Sequence, residues 1–300
     1  METKYHNPVL LDRSVADLII NPDGVYVDVT FGGGGHSKKI LKALSDKGRL
    51  FAFDQDQDAA ENVLSDSRFE LIQANFKDLK RYLKFYGVKE VDGILADFGV
   101  SSHQFDAEKR GFSTRFEGRL DMRMDQTLAL SAYEVVNDYS EEELISIMKL
   151  YGEVKGAHKI VAAILNHRKE ERIETTTDLI ALIKPMIPER FLNKILAQVF
   201  QAIRIEVNQE LEVIKLFLEQ TAEVLKPQGR LVCISYHSLE DRLVKRFIRE
   251  GVFEGAAEQD FFGNRFTPLK KVGGLVIPDE EEIKQNSRAR SAKLRTAEKK

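Results

Sequence analysis

The sequence predicts an α/β fold, with a mostly parallel, doubly wound sheet that a helical insertion interrupts. Two observations lead to this prediction. Short apolar segments alternate with amphipathic segments in the first third of the 300 residues, and this alternation is typical of a parallel sheet covered by helices. The same alternation returns after position 206, so the intervening stretch interrupts one domain and does not begin a separate one.

Four apolar segments in the first part are predicted strands, at 25–30, 49–54, 69–73 and 91–97, with predicted helices at 38–44, 59–64 and 79–86. Polar or aromatic residues lie at or just beyond the carboxyl ends of these strands. They are Asp28, Asp54, Asn75, Phe76 and Asp97. Because doubly wound sheets bind ligands at this edge, we expect the functional site there.

Four consecutive glycines, Gly32–Gly35, follow the first predicted strand and precede a helix. Such a turn lets a ligand approach backbone N–H groups at a helix N-terminus. Asp54 ends the next strand about 20 residues later, where related sites bind a ribose diol. The third glycine of a dinucleotide motif is replaced by Ser37 or Lys38, and Asp28 favours a cationic ligand. S-adenosylmethionine, with its sulfonium and ammonium groups, therefore fits this turn better than NAD does.

The insertion is predicted at 105–206, so residues 1–104 and 207–300 form the ligand-binding domain. Capping boxes at Ser140–Glu143 and Thr175–Asp178 and helical periodicity at 157–168 and 190–203 indicate its helices. Beyond it we expect a helix at 209–225, a turn at 226–229, a strand at 230–235 and a helix at 239–249.

The composition is that of an ordinary globular protein, 43% hydrophobic and 31% charged. No apolar run reaches the roughly 18 residues of a membrane helix, and residues 1–6 show no signal-peptide pattern. The single cysteine, Cys233, excludes an internal disulfide and reads as a core residue. We therefore expect a cytoplasmic protein that does not associate with membranes. The histidines and acidic residues lack metal-ligand spacing, so no metal is expected.

The net charge of −3 does not indicate a nucleic-acid-binding protein, but positive charge is concentrated in two segments. One is an arginine-rich loop with Arg110, Arg115, Arg119 and Arg123; the other is the C-terminal tail, with Arg288, Arg290, Lys293 and Arg295. Each is either a phosphate-binding track or a solvated surface. Polar and apolar residues alternate at 291–295, and this pattern also allows a terminal strand in the C-terminal tail.

Several long motifs together resemble the MraW family of ribosomal RNA small subunit methyltransferases. They lie at 6–11, 28–37, 92–106, 110–113, 120–124, 200–211, 234–242 and 288–295. The resemblance implies a Rossmann-like class I methyltransferase. It also implies S-adenosylmethionine as cofactor and methylation of the N4 amine of a cytidine in the decoding region of small-subunit (16S) rRNA. The partner would be this rRNA, within an assembling or assembled subunit. Monomer and homodimer both stay open.

The resemblance also implies which residues bind the cofactor: Gly34, Gly35, His36, Asp54, Phe76, Asp97 and Gln104. Asp97 begins a segment where many amino-methyltransferases have Asp, Asn or Ser followed by Pro-Pro and an aromatic residue, but here the two prolines are absent. Asp97 could thus act catalytically on the amine, on the cofactor or on both, and we favour positioning of the cofactor. Tyr236 stands where the family usually has Phe. His237 has either a structural role or a role in placing the RNA.

Two other functions stay open at this point. A methyltransferase for a small molecule or a protein would share the glycine turn and Asp54 but would have little use for the basic segments. A ribosome-assembly factor without activity would share the fold. The intact set of cofactor residues argues against the second alternative.

Overall fold

The computed structural model describes residues 8–263 and 265–300, so His6 of the first motif lies outside the described residues. The chain divides into two compact units. The first comprises the described residues up to Gly99 together with Leu211–Lys300, and the second is Val100–Glu210. No helix in the part of the chain that the structure describes is both long and apolar enough to cross a bilayer.

The first unit contains one sheet of seven described strands: β1 (Val25–Asp28), β2 (Arg49–Asp54), β3 (Phe69–Gln73), β4 (Val91–Asp97), β5 (Leu225–Ser235), β6 (Leu269–Val276) and β7 (Lys293–Lys299). Their order is β3-β2-β1-β4-β5-β7-β6. Strands β1 to β5 pair in parallel, whereas β7 runs antiparallel between β5 and β6. The mostly parallel sheet predicted from the sequence is confirmed.

The described α-helices are α1 (Leu11–Leu18), α2 (Gly35–Ala43), α3 (Leu79–Phe85), α4 (Ser102–Asp106), α5 (Ala132–Asp138), α6 (Glu141–Leu150), α7 (Ala157–His167), α8 (Thr176–Ile183), α9 (Glu189–Asn208), α10 (Glu210–Val224), α11 (Ser238–Glu250) and α12 (Glu280–Gln285). Helices α4 to α9 belong to the second unit. The predicted helix at 59–64 is instead a 3₁₀ helix, Gln57–Asn62.

The side chains of the central strands alternate between two apolar cores, one on each face of the sheet. Tyr26, Leu50 and Leu95 belong to the core that includes Leu18 of α1 and Ile40 of α2. Their neighbours along the strands, among them Phe51, belong to the other core, with residues of α3, α10 and α11. Both faces are thus buried, which explains why these strands read as continuous apolar runs.

The last part of the sheet differs from the prediction. The predicted turn at 226–229 lies inside β5, where Leu225 pairs with Val91 and Arg230 with Gly93, so the intervening residues form a bulge. Gln228 within it has a left-handed backbone, with φ of 67°. The C-terminal tail forms β7, which confirms the terminal strand and shows that a fully solvated tail is wrong. Strand β6 was not predicted from the sequence.

The second unit has its own apolar core, to which Leu144, Ile160, Val199 and Ile203 contribute from three helices. The capping boxes at Ser140 and Thr175 are both present. Helix α9 is longer than predicted and ends at Asn208. Gln209 follows with φ of 52°, and this left-handed residue separates α9 from α10.

Candidate active site

The glycine turn follows β1 and leads into α2. Gly32 and Gly34 have φ of 50° and 73°, a left-handed conformation that glycine adopts with little strain. Gly35 is the first residue of α2. A Cβ atom there would lie 2.2 Å from Cγ of Pro8. The sequence predicted a ligand against the backbone of all four glycines; at Gly35 the Pro8 ring already fills the space of the missing side chain.

Asp28 holds the turn together. Its side chain is completely buried; Oδ2 accepts a hydrogen bond from Ser37 Oγ at 2.7 Å, and Oδ1 accepts one from the Thr30 N–H at 3.1 Å. The end of β1 is thereby bound to the first turn of α2. Because this buried carboxylate has no exposed surface, Asp28 can favour a cationic ligand only through its charge and not by contact.

Asp54 links the second strand to the glycine turn. Its Oδ2 accepts a hydrogen bond from the Gly32 N–H at 2.8 Å, and its Oδ1 accepts one from the Asp56 N–H at 2.9 Å. Desolvation raises the pKa of Asp54 to about 6, while the two backbone donors oppose that rise. The carboxylate is thus fixed in position at the carboxyl end of β2 and is mostly ionised at neutral pH.

Asp97, at the end of β4, is held by groups from three other parts of the first unit. Its N–H donates to Thr30 Oγ1 at 2.7 Å, and its Oδ1 accepts a hydrogen bond from the Tyr236 hydroxyl at 2.7 Å. Oδ2 lies 3.7 Å from Nδ1 of His36. Desolvation raises the pKa of Asp97 to about 6, and His36 and Tyr236 both act against that rise.

His36 lies in the first turn of α2 with its side chain only 5% exposed. Its Nε2 atom is buried and has no hydrogen-bond partner among the described residues. A buried polar atom without a partner is rare in native proteins and requires an explanation. A ligand that supplies the missing hydrogen bond would provide one.

Tyr236 is itself fixed by Glu240 and is a residue that the sequence analysis did not assign to the site. Glu240 is completely buried, and its Oε2 accepts hydrogen bonds from the N–H groups of Tyr236, at 2.7 Å, and His237, at 3.2 Å. His237 forms the N-cap of α11 in a capping box with Glu240. The structural role considered for His237 is therefore confirmed, and the position of Tyr236 inside the 234–242 motif was the available signal.

Phe76 and Gln104 complete the set that the resemblance implies. The Phe76 ring packs against Phe98 and Phe217, with ring centroids 6.2 and 5.3 Å away. Phe98 directly follows Asp97. Gln104 belongs to the second unit, where it is buried and its Oε1 accepts a hydrogen bond from the Ser101 N–H at 3.0 Å. The first unit thus brings the glycine turn, Asp54, Phe76 and Asp97 to one edge of its sheet.

The arginine-rich loop is only partly available to RNA. Arg110 is 7% exposed and donates to the carbonyl oxygens of Arg123 and Met124. Arg123 forms a two-pronged pair with Asp121, at 2.8 and 2.7 Å. A phosphate track through all four arginines is therefore wrong, whereas Arg115 and Arg119 are exposed.

The basic C-terminal segment also divides into two kinds of residue. Arg295 of β7 binds both carboxylate oxygens of Asp241, at 2.7 and 3.1 Å. Lys293 lies 3.6 Å from the same carboxylate. These two cations therefore attach β7 to α11, while Arg290 is exposed.

Comparisons with known proteins identify the family to which this chain belongs. The model of a family described as the MraW methylase family matches residues 3–300. The ribosomal RNA small subunit methyltransferase H of Christiangramia forsetii is 62% identical over 99% of this chain and 98% of its own length. The protein of the same name from Bacteroides fragilis strain YCH46 is 53% identical over 100% and 99%. The solved structure of an rRNA methylase from Streptococcus thermophilus superposes with a TM-score of 0.42 and 12% identity, covering 96% of this chain and 92% of that one. This chain belongs to the MraW methylase family.

Proposed function

We propose that this protein uses S-adenosylmethionine to methylate the N4 amine of a cytidine in the decoding region of small-subunit rRNA. Family membership and the names of its relatives support a small-subunit rRNA as substrate. One geometric observation carries the assignment of the site. Strand β1 pairs with both β2 and β4, so Asp54 and Asp97 end the two strands on either side of the one that leads into the glycine turn. The order of strands reverses here, where doubly wound sheets bind ligands.

The residues at this edge fit the cofactor. The carboxylates of Asp54 and Asp97 suit a ligand with a ribose diol and positive charge, and His36 Nε2 is a buried polar atom without a described partner. When bound, S-adenosylmethionine supplies an electrophilic methyl group on a sulfonium. We assign the ribose hydroxyls to Asp54 as acceptor. Gly34, Gly35 and His36 offer backbone groups at the start of α2, and Phe76 completes the part of the proposed site that the first unit contributes. Gln104 of the second unit stays in the proposal on the family resemblance alone.

Asp97 suits an electrostatic and positioning role. The lone pair of the cytosine N4 amine is conjugated into the ring, so the amine is a weak nucleophile. A carboxylate that accepts a hydrogen bond from the amine N–H favours a pyramidal nitrogen and orients its lone pair. With a pKa of about 6, Asp97 is mostly ionised at neutral pH and can accept such a bond. Its main role in our proposal is to position the cofactor, and direct action on the amine is the second.

The helical unit, Val100–Glu210, is proposed to recognise the substrate, since it is an insertion with its own core and exposed Arg115 and Arg119. The target base has to leave its stack to reach the site. We expect the protein in the cytoplasm, where small ribosomal subunits are assembled.

The test is nucleoside mass spectrometry of small-subunit rRNA incubated with S-adenosylmethionine and this protein. N4-methylcytidine is the expected product, and the Asp54→Asn variant serves as the weakened control. C5-methylcytidine would refute the proposal, because that reaction generally uses a cysteine nucleophile. Cys233 is completely buried in β5, and burial raises the pKa of its thiol. Cofactor binding without RNA methylation would favour another substrate, and no cofactor binding would favour the assembly factor.

A further inference from the structure

A basic pocket of about 730 Å³ lies at the β6 edge of the sheet in the first unit. Side chains of α11, β6, β7 and the loop before β6 line it, among them Lys245, Arg265, Lys270, Lys271 and Lys300. No acidic residue among the described residues lines it. Strands β5 and β7 separate β6 from β4, so this pocket is distinct from the edge where Asp54 and Asp97 lie.

Neighbouring carboxylates neutralise only part of the positive charge of this pocket, in which Arg295 is paired with Asp241. Glu250 pairs with both Arg249 and Arg265, and Lys270 pairs with Glu298 at 2.7 Å. Lys245 and Lys271 are exposed and form no ion pair with a described residue. A surplus of positive charge therefore remains here, although the whole chain has a net charge of −3. Such a local surplus attracts a polyanion.

Two exposed phenylalanines stand beside the pocket at the tip of a short turn. The Gly263 N–H donates to the Asp260 carbonyl at 3.0 Å, which closes the turn, and Gly263 also lines the pocket. Phe261 and Phe262 occupy the two central positions and are 98% and 86% exposed. Turn positions usually carry polar residues or glycine, and adjacent exposed aromatic rings indicate a partner.

Contacts among the described residues at the base of this turn support the two rings. Residues Gln259 and Arg265 form an antiparallel bridge, and the Asp260 carboxylate accepts a hydrogen bond from the Phe262 N–H at 2.9 Å. Arg265 is in turn bound to Glu250 of α11 at 2.8 Å. The turn is therefore attached to the helix that lines the pocket.

We propose that this pocket and turn form a second RNA-contact surface, in which the cations bind phosphates and Phe261 and Phe262 stack on unpaired bases. The RNA ligand class rests on the proposed function. A positively charged groove with aromatic side chains beside it is the general design for binding single-stranded nucleic acid, because each base has a face that can stack. The cations of the pocket and the two exposed phenylalanines occur together here. An acidic protein partner would need only the positive charge, so the aromatic rings favour RNA.

The test measures binding of a fluorescein-labelled single-stranded RNA of about 12 nucleotides by anisotropy at several salt concentrations. Lys245→Ala combined with Lys271→Ala should reduce the salt slope of log affinity by about 1.4, or roughly 0.7 for each lost phosphate contact. Phe261→Ala combined with Phe262→Ala should weaken binding at least about tenfold, with little change in the salt slope. The matched controls change exposed residues elsewhere on the same unit: Lys84→Ala with Lys89→Ala, and Phe85→Ala.

The proposal is overturned if both double variants keep the RNA affinity and salt slope of the wild type. It is also overturned if the control variants lose as much RNA affinity as the double variants do. If the alanine variant of the turn has a lower melting temperature, leucine at both positions keeps the apolar bulk and removes the stacking face. Unchanged affinity of that leucine variant then overturns the stacking. The binding assay contains no cofactor and therefore does not depend on methylation. If the protein binds RNA through this surface but does not methylate it, the proposed function is refuted and the second RNA-contact surface is not.

Discussion

The Tyr236→Phe substitution tests whether the ionisation of Asp97 controls the reaction. The change removes one hydroxyl, which donates to Asp97 Oδ1 at 2.7 Å, and keeps the ring. Phe is also the residue that the resemblance places at this position, so the fold should tolerate it. Any effect can then be attributed to the lost hydrogen bond.

The size of the effect follows from that hydrogen bond. A hydrogen bond to a charged group contributes about 1.5–3 kcal/mol, and one pKa unit corresponds to about 1.4 kcal/mol. The hydroxyl stabilises the ionised form, so its removal should raise the pKa of Asp97 from about 6 by roughly one to two units. At pH 7 the ionised fraction should fall from about nine-tenths to one-half or less.

The assay is the pH dependence of kcat/KM for RNA methylation between about pH 5.5 and 9. The acidic limb of the profile should move to higher pH in the variant, and activity at the alkaline end should match that of the wild type. Tyr86→Phe is the matched control, because its hydroxyl donates to the exposed Glu70 carboxylate, away from the site.

Two results would refute this reasoning. An unchanged acidic limb would show that the ionisation of Asp97 does not limit the reaction. Activity lost equally at every pH would show that the Tyr236 hydroxyl acts on a substrate directly and not through Asp97. Cofactor affinity measured by calorimetry over the same pH range separates the two roles of Asp97: a shift seen there as well indicates positioning of the cofactor.

Two further predictions concern the binding of the cofactor and the stability of the glycine turn. Asp54→Ala should lower S-adenosylmethionine affinity at least about tenfold in calorimetry, and it should also lower the melting temperature because the Gly32 N–H loses its acceptor. Asp54→Asn is the control for stability, because the amide oxygen keeps an acceptor for the Gly32 N–H. Unchanged cofactor affinity in both variants would exclude the role of Asp54 in binding the ribose. Gly35→Ala should destabilise the fold by about 1–3 kcal/mol in urea unfolding, because its Cβ would lie 2.2 Å from Pro8, whereas Gly274→Ala, which meets nothing within 4 Å, should not.

The sequence was most informative where local chemistry determines structure. Each parallel strand is a short apolar run buried on both faces, so its existence and order of appearance could be predicted. The capping boxes at Ser140 and Thr175 were also visible, since three-residue spacing alone defines them. The position of Asp54 at the same edge of the sheet as the glycine turn followed from the geometry of a doubly wound sheet, whereas the hydrogen bond between Asp54 and Gly32 was not predicted.

The sequence was least informative where distant residues decide the outcome. Arg110 looked like a phosphate ligand, but its partners are the carbonyl groups of Arg123 and Met124, 13 and 14 positions away along the chain. Strand β6 carries exposed lysines and two adjacent glycines, so no apolar alternation announced it. It forms because β7 presents an edge to pair with. The hydrogen bond from Tyr236 to Asp97 joins residues that are 139 positions apart.

The surroundings of Asp97 explain why positioning is its favoured role. Asp97 is fixed at its backbone and at its side chain, because its N–H donates to Thr30 Oγ1 and its Oδ1 accepts from the Tyr236 hydroxyl. Tyr236 is itself held by the buried Glu240 in the first turn of α11, whose carboxylate accepts a hydrogen bond from the Tyr236 N–H. The turn after β1 thus fixes the backbone of Asp97, Tyr236 fixes Oδ1, and Oδ2 is left nearest to His36. Such rigidity lowers the cost of orienting a ligand before the reaction, and that is the main contribution a protein can make when the nucleophile is a conjugated amine.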